Sequence, residues 1–325
     1  MSDSVIYPWQ EVVWSSLTQR FPNTGHGLLF YGKSGSGVDV FAHAFLAWVL
    51  CHEREKQRFA CGQCTSCQWL KSDTHPNFVH ISTDEDNKKA NAKIKIEKIR
   101  DLLPFIQQTV EGWRIVLIEP AEALNIASAN ALLKTLEEPG EQVIIILLAE
   151  HYLKLPATIR SRMQHFALDR IHPEEASAYL QQHLDTQYQE QTELLLNLAN
   201  QMPLRAVEIS QLEWIQQRHM FMADWLKLVQ QKNMPLSLST KWQKSLNYAE
   251  FLMMFEYLLS DVIRLKMSQK TLNIDLDFHE IDTQYSLEEL FTIYEGLQQS
   301  KRYTEQNVQT NLVLDELFIQ LMNVH

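Results

Sequence analysis

The sequence lacks several features that would assign it to common classes of protein. No apolar run approaches the roughly 20 residues of a membrane-spanning helix, and the longest, residues 143–149, suits a buried strand. Basic residues are too few to balance the acidic ones, 29 against 40. The resulting net charge of −11 disfavours a free-standing DNA-binding protein, although it leaves DNA contact within an assembly open.

The opening residues also lack a basic segment followed by an apolar core, so we expect no secretion signal and a cytoplasmic location. Internal repeats and low-complexity tracts are absent from the sequence as well. At 325 residues, 45% hydrophobic and 21% charged, the chain is expected to form two or three ordinary globular domains.

Cysteine is scarce and confined to one place. All four cysteines lie within one seventeen-residue segment: Cys51, Cys61, Cys64 and Cys67. Two C-x-x-C turns direct sulfurs toward one point, and Cys51 can reach back from the end of the preceding helix. Four thiolates complete the tetrahedral shell of a structural zinc ion and leave no position open for water or substrate. The pattern therefore predicts structural zinc.

Two alternatives to zinc remain open for these cysteines. Close C-x-x-C spacing also suits an iron–sulfur cluster, and the thiols could instead be free or form two disulfides. The expected reducing compartment disfavours disulfides. The nearby histidines are predicted to be packing or surface residues, since four sulfurs already fill the shell: His43, His52 and His75.

Residues 32–39, Gly-Lys-Ser-Gly-Ser-Gly-Val-Asp, nearly match the phosphate-binding loop G-x-x-x-x-G-K-[S/T]. The loop keeps its glycines: Gly32, Gly35 and Gly37. Val38 stands where a lysine should contact the β- and γ-phosphates, and Asp39 stands where a hydroxyl should hold Mg²⁺. A lost positive charge and an added carboxylate both act against ATP. We therefore expect this loop not to bind ATP; a simple Gly/Ser turn is the alternative.

The surroundings favour the phosphate-loop interpretation. Residues 26–31 resemble a buried strand and 40–50 a helix, which is the strand, loop and helix order that such a loop requires. The strand predicted at 114–118 ends where an ATPase places a magnesium-binding Asp and a catalytic Glu. Here those positions are Glu119, which could still bind a metal, and Pro120, which cannot polarise water. Two independent defects predict a nucleotide site that has lost its activity.

Strands and helices alternate over the first 170 residues. Further strands are predicted at 77–82 and 143–149, and a polar surface loop at 83–93. Helices are predicted from about residue 94 past Arg100, with a break at Pro104, and at 125–138. The alternation predicts a parallel sheet covered by helices on both faces.

The chain resembles the clamp-loader family of AAA+ proteins of bacterial DNA polymerase III. Residues 130–139 look like that family's signature, and 155–163 look like its Ser-Arg-Cys motif, with Met163 in place of Cys. Three further features narrow the resemblance to members that do not hydrolyse ATP: the four cysteines with the altered loop, Tyr7-Pro8-Trp9, and Thr74-His75-Pro76. The resemblance is strong over residues 5–170 and weaker beyond.

The resemblance implies a ring of five different subunits that opens a sliding clamp and places it on primed DNA. This chain would be a rigid member that does not hydrolyse ATP and that extends Arg162 into a neighbour's ATP site, with Arg160 in support. Its partners would be the other clamp-loader subunits and, indirectly, the sliding clamp and primer-template DNA, while direct DNA contacts stay open and no membrane contact is expected. A guanidinium stays charged and donates to the γ-phosphate as charge develops. Arg205 matches the sensor arginine of active subunits, whereas Glu150-His151 replaces their polar sensor.

The same resemblance, with apolar residues at helical spacing toward the C-terminus, gives three domains. We expect an α/β AAA+ RecA-like domain at 1–168 that carries the zinc module 51–67. A lid of three short helices, the first opened by Pro173, follows at 169–208, and an all-α collar follows at 209–325.

Three classes of function remain open: a non-catalytic clamp-loader subunit, an active AAA+ ATPase with a modified site, and a four-cysteine metal or redox protein. Nucleotide binding by the isolated chain separates the first two classes. The identity of the bound metal and a visible absorption band separate zinc from iron–sulfur. For Arg162, a surface or intrachain ion pair is the alternative to an arginine finger.

Overall fold

The computed structural model describes residues 6–83, 92–108, 111–304 and 309–323. The chain divides into two compact units, Met1–Glu175 and Ala176–His325, which we describe separately. Most of the polar loop predicted at 83–93 lies outside the described residues. Among the helices that are described, none is long and apolar enough to cross a membrane.

The first unit is built on a parallel sheet. In the described residues its five strands lie in the order β2-β3-β4-β1-β5 and every neighbouring pair is parallel. In chain order the strands are β1 (Gly27–Tyr31), β2 (Phe78–Ile81), β3 (Arg114–Ile118), β4 (Val143–Ala149) and β5 (Gln164–Ala167). Strand β1 is therefore inside the sheet, with β4, β3 and β2 on one side of it and β5 on the other.

The sheet is buried on both faces, as its apolar strands predict. Side chains alternate between faces along a strand, and β4 shows this directly, since all seven of its residues are buried. Its odd-numbered residues join one hydrophobic cluster, and its even-numbered residues join the other. Helices on both faces supply the remaining members of the two clusters, and this confirms the predicted α/β class.

The helices of the first unit follow the strands. They are α1 (Glu11–Arg20), α2 (Val38–Leu50), α3 (Thr65–Lys71), α4 (Ile96–Arg100), α5 (Leu102–Gln107), α6 (Ile126–Glu137) and α7 (Ala157–Arg160). Short 3₁₀ turns lie at Pro8–Gln10, Arg54–Lys56, Ala121–Ala123 and Tyr152–Lys154. Helices α1 and α2 pack on one face, and α4 to α7 pack on the other.

Two helix boundaries differ clearly from the sequence predictions. Helix α2 begins at Val38, not at residue 40, because Gly37 in the left-handed conformation (φ 78°) ends the loop and starts the helix. The predicted helix past Arg100 breaks at Asp101 rather than at Pro104. Pro104 instead lies in the first turn of α5, where its missing N–H leaves no helical hydrogen bond unmade.

The second unit is helical throughout its described secondary structure. Its helices are α8 (Pro173–His183), which begins within the first unit, α9 (Thr192–Leu198), α10 (Pro203–Ser210), α11 (Trp214–Val229), α12 (Pro235–Ser245), α13 (Tyr248–Lys266), α14 (His279–Asp282), α15 (Leu287–Thr304) and α16 (Thr310–Asn323), with a 3₁₀ turn at Thr186–Gln191. Aromatic rings fill its core around Phe221, which meets the rings of five neighbours: Trp225, Trp242, Phe251, Phe255 and Phe318.

The expected three short helices between 171 and 208 are α8, α9 and α10, and Pro173 opens the first of them. The α/β unit followed by helices confirms the predicted fold class. The finer division into a lid at 169–208 and a collar at 209–325 stays a prediction.

Candidate functional site

The glycine loop leaves the carboxyl end of β1 and enters α2. The Gly32 backbone N–H donates to the carbonyl of Ala149 at the end of β4, 3.1 Å away, so the loop begins at the sheet edge. Gly35 and Gly37 adopt φ values of 85° and 78°, which side chains with a Cβ rarely tolerate. The loop's shape therefore depends on Gly37, which stands at a glycine position of the template, and on Gly35, which does not.

Val38 and Asp39, at the two positions that depart from the phosphate-loop template, differ in burial. A Cβ on Gly32 would lie 2.7 Å from Ser36 Oγ and 2.9 Å from Val38 Cγ2, so only glycine fits beneath them. Val38 thus packs inward as an apolar side chain where a lysine would reach out. Asp39 is exposed in the first turn of α2.

The loop's backbone amides are bound by the chain's own carboxylates. Lys33 N–H donates to Asp169 Oδ2 at 3.4 Å, and Ser34 N–H donates to Glu150 Oε1 at 3.2 Å. In a working loop of this type such amides cradle phosphate oxygens. Here two carboxylates, with Asp39 close by, present negative charge where a nucleotide would bring more.

The segment that precedes α1 covers the loop from the other side. Trp9 Nε1 donates to Ser36 O at 2.9 Å, and Gln10 Nε2 donates to the carbonyls of Ser36 and Gly37 at 3.0 and 2.8 Å. The Tyr7 ring stacks on Trp9, with the ring centroids 5.0 Å apart. A Cβ on Gly37 would lie 2.4 Å from the Tyr7 ring. Burial, and then the Asp39 carboxylate, raise the pKa of Tyr7.

The second altered motif lies at the end of β3, as predicted. The Glu119 carboxylate is 3.7 Å from His80 Nε2 on β2. Burial lowers the pKa of His80, although Glu119 pulls in the opposite direction. Among the described residues, only the four cysteines form a group of His, Cys, Asp or Glu side chains that could hold a metal. Glu119 is not part of such a group.

Both candidate arginines contact their own chain. Arg162 Nε and Nη2 donate to Glu137 Oε1 at 3.0 and 2.7 Å. Arg160 Nε donates to the carbonyl of Leu155 at 3.2 Å, and its guanidinium lies over the Tyr152 ring, 5.9 Å from the centroid. Arg162 is therefore at the surface in an intrachain pair, and its role toward a neighbouring subunit stays a prediction.

Arg205 lies in α10 of the second unit. Its Nη1 is 3.0 Å from Glu208 Oε2, one turn further along the same helix, and its Nη2 approaches the sulfur of Met253 at 3.7 Å. Arg205 therefore forms an ion pair within its own helix, and any contact with nucleotide stays untested.

The four cysteines converge as their spacing predicts. Their sulfur atoms all lie within 4.8 Å of one another, and two of the pairs, Cys51–Cys64 and Cys61–Cys67, are 4.0 and 3.9 Å apart. Four sulfurs around one zinc ion at 2.3 Å would be about 3.8 Å apart, whereas a disulfide requires about 2.05 Å. Four cysteines this close together could bind one metal ion.

The environment of the thiols also suits a metal. The N–H groups of Gln63 and Cys64 point at Cys61 Sγ from 3.5 and 3.3 Å and lower the pKa of that thiol to about 6. Burial raises the pKa of Cys51 and Cys67. Two thiols thus resist ionisation unless a cation is present to stabilise their thiolates.

His75, predicted to be a packing or surface residue, joins the cysteine module to the sheet. Ser66 Oγ donates to Leu50 O at 2.7 Å and accepts from His75 Nε2 at 2.8 Å. His75 Nδ1 in turn accepts from the N–H of Asn77, just before β2, at 3.0 Å. The imidazole is therefore neutral, and burial lowers the pKa of His75. The sequence singles out Thr74-His75-Pro76, but no local pattern marks Ser66 as a partner of His75. This bridge was therefore not predicted.

The first unit thus combines a parallel α/β sheet with a glycine loop at the carboxyl end of β1, and the second unit is helical. A sequence model of the family described as DNA polymerase III, delta subunit, matches residues 9–172. The DNA polymerase III subunit delta-prime of Pseudomonas aeruginosa is 34% identical over 73% of this chain and 71% of its own length. That of Haemophilus influenzae is 30% identical over 81% and 79%. The chain therefore belongs to the DNA polymerase III delta-prime family.

Among solved structures, the chain matches a DNA polymerase III gamma-subunit-related protein from Thermotoga maritima. It shares 16% sequence identity with this chain at a TM-score of 0.47, over 95% of this chain and 98% of that one.

The His75 bridge predicts a specific loss of stability in acid. The folded state holds His75 neutral with a lowered pKa, so the unfolded chain takes up the proton first as the pH falls below about 6.5. The free energy of unfolding should therefore decrease from pH 7 to pH 5, and the decrease should be smaller in His75→Gln, which cannot titrate. Thermal unfolding followed across this range checks it.

His43→Gln, which changes an exposed histidine on α2, is the control and should keep the wild-type pH dependence. An identical pH slope in His75→Gln and wild type would show that the bridge does not couple protonation to folding.

Proposed function

We propose that this chain is a non-catalytic subunit of the clamp loader of DNA polymerase III, a component of that holoenzyme. It would assemble with other clamp-loader subunits in a five-membered ring and help to place the sliding clamp on primer-template DNA, in the cytoplasm and without membrane contact. Membership of the delta-prime family supports the role, since the relatives' names make them subunits of DNA polymerase III.

The observation that carries the non-catalytic part is the occupation of the glycine loop by the chain's own groups. Glu150 and Asp169 take the amides of Ser34 and Lys33, and Val38 turns inward over Gly32. ATP would have to displace two carboxylates without a lysine to neutralise its phosphates. The loop then serves as a fixed connection between β1 and α2.

The isolated chain should bind neither ATP nor ADP. Calorimetric titration in Mg²⁺ should give no binding heat, while an active clamp-loader ATPase subunit titrated in parallel binds at micromolar concentrations. Micromolar affinity in this chain would instead favour an active ATPase with a modified site, and Arg205→Ala would then show whether that arginine provides the contact.

We further propose that the four cysteines hold one structural zinc ion. The sulfur distances, the lowered pKa of the Cys61 thiol and the supply of four sulfur ligands support zinc in a closed tetrahedral shell. Zinc would fix the end of α2, where Cys51 follows Leu50, to the start of α3 at Cys64. The ion would be a structural part of the first unit, with no chemical step of its own.

Elemental analysis of native protein should find about one zinc per chain. Cys64→Ser should lose the metal and lower the unfolding temperature of the first unit, because the three remaining sulfurs hold zinc poorly. Gln63→Ser, an exposed neighbour that contributes only its backbone N–H, should keep both. Iron with a visible absorption band, or no metal in native protein, would contradict the zinc assignment.

We also propose that Arg162 acts as an arginine finger in a neighbouring subunit's ATP site, with Arg160 holding the adjacent backbone. Its motif context and its exposed position after α7 support this role. The Glu137 pair does not prevent it, because exposed ion pairs typically contribute under about 1 kcal/mol and exchange readily for a phosphate.

Arg162→Ala should leave the chain folded and able to assemble, yet impair clamp loading. A finger in trans is worth on the order of 10³ to 10⁵ in turnover at one site, and only one site of the ring would face this subunit. Clamp loading and clamp-stimulated ATPase by rebuilt complexes measure the effect, and total ATPase should fall only in part. Arg20→Ala, another exposed arginine, is the control; wild-type loading by Arg162→Ala would leave Arg162 a surface ion pair.

A further inference from the structure

The carboxylate of Glu137 is the partner that the structure gives to Arg162. Glu137 is the last residue of α6, and one of its oxygens, Oε1, accepts from both Nε and Nη2 of Arg162. We propose that Glu137 is a positioning residue that orients the Arg162 guanidinium for a phosphate of the neighbouring subunit. This inference rests on the proposed arginine finger.

The pairing leaves part of the guanidinium available. A guanidinium has five N–H groups in a fixed fork. Glu137 takes one edge, through Nε and Nη2. Nη1 donates to the Thr158 carbonyl at 3.0 Å and, over a longer distance of 3.5 Å, to Ser161 Oγ. The second hydrogen of Nη2 has no protein acceptor among these contacts. Glu137 therefore fixes the plane of the guanidinium, while the remaining N–H of Nη2 stays available to an anion.

The start of β1 contacts the two segments that carry Glu137 and Arg162. His26 Nε2 donates to the carbonyl of Leu136, next to Glu137, at 2.6 Å. A Cβ on Gly27 would lie 3.1 Å from the carbonyl oxygen of Arg162 and 3.5 Å from Leu136 Cδ2, so the Arg162 backbone and the Leu136 side chain both lie close to this glycine. The end of α6 and the turn after α7 are thus held at a set separation, which presets the pair before any neighbour binds.

Preorganisation is the physical benefit. A free arginine side chain loses rotamer entropy when it is fixed on a phosphate, and an orientation fixed in advance reduces that loss. The side chains of both residues are solvent-exposed, by 37% for Arg162 and 53% for Glu137. The pair therefore contributes little to the stability of the fold. Its effect should appear in the neighbour's reaction rather than in the stability of this chain.

The experiment compares complexes rebuilt with Glu137→Ala and Glu138→Ala. Glu138 is the next residue, equally charged and exposed, and serves as the matched control. Glu137→Ala should lower the maximal rate of clamp loading by up to about tenfold, well short of the loss for Arg162→Ala, without changing the ATP concentration for half-maximal loading. Glu138→Ala should match wild type, and Glu137→Asp should recover part of the rate.

A double variant separates positioning from any independent role. Because Glu137 acts only through Arg162, Glu137→Ala should cause no further loss in an Arg162→Ala background. Wild-type or faster loading by Glu137→Ala would overturn the inference, the faster rate meaning that Glu137 restrains the arginine. A loss equal in both backgrounds would also overturn it. If Arg162→Ala itself loads normally, the proposed finger fails instead.

Discussion

The pairing of β1 with β4 and β5 is the constraint on which the first unit depends. This five-residue strand is buried between its two neighbours, and each of its ends supports a different site. At its carboxyl end Gly32 begins the glycine loop by bonding Ala149. At its amino end His26 and Gly27 hold the backbones that carry Glu137 and Arg162. A shift of register in β1 would therefore displace both sites at once.

The glycine loop makes close contacts with the rest of its own chain. Its glycines allow close approach of the chain's own side chains, namely Tyr7 from outside and Val38 from within. Two of its backbone amides are satisfied internally by carboxylates. Under the proposed non-catalytic role, a loop held in this way would keep its shape whether or not nucleotide is present.

The parts predicted from sequence are those encoded locally. The apolar runs at β1, β3 and β4, the helix at 125–138 and the C-x-x-C spacing each depend on a few neighbouring residues, and the structure bears them out. Strand β5 was missed because Gln164–Ala167 is a half-exposed edge strand without an apolar run. The contacts of Glu150 and Asp169 with the loop join residues more than 100 positions apart, and no local pattern encodes such distant pairs.

The crowding at Gly27 links two positions that are far apart in the sequence. A Cβ there would lie 2.8 Å from the sulfur of Met163, the residue that stands where the family motif has cysteine. A methionine side chain extends two atoms beyond the Sγ position of a cysteine, so the larger residue at 163 fits only while residue 27 has no side chain. The identities of these two residues are therefore expected to change together among relatives, a steric dependence between the first core strand and the arginine motif.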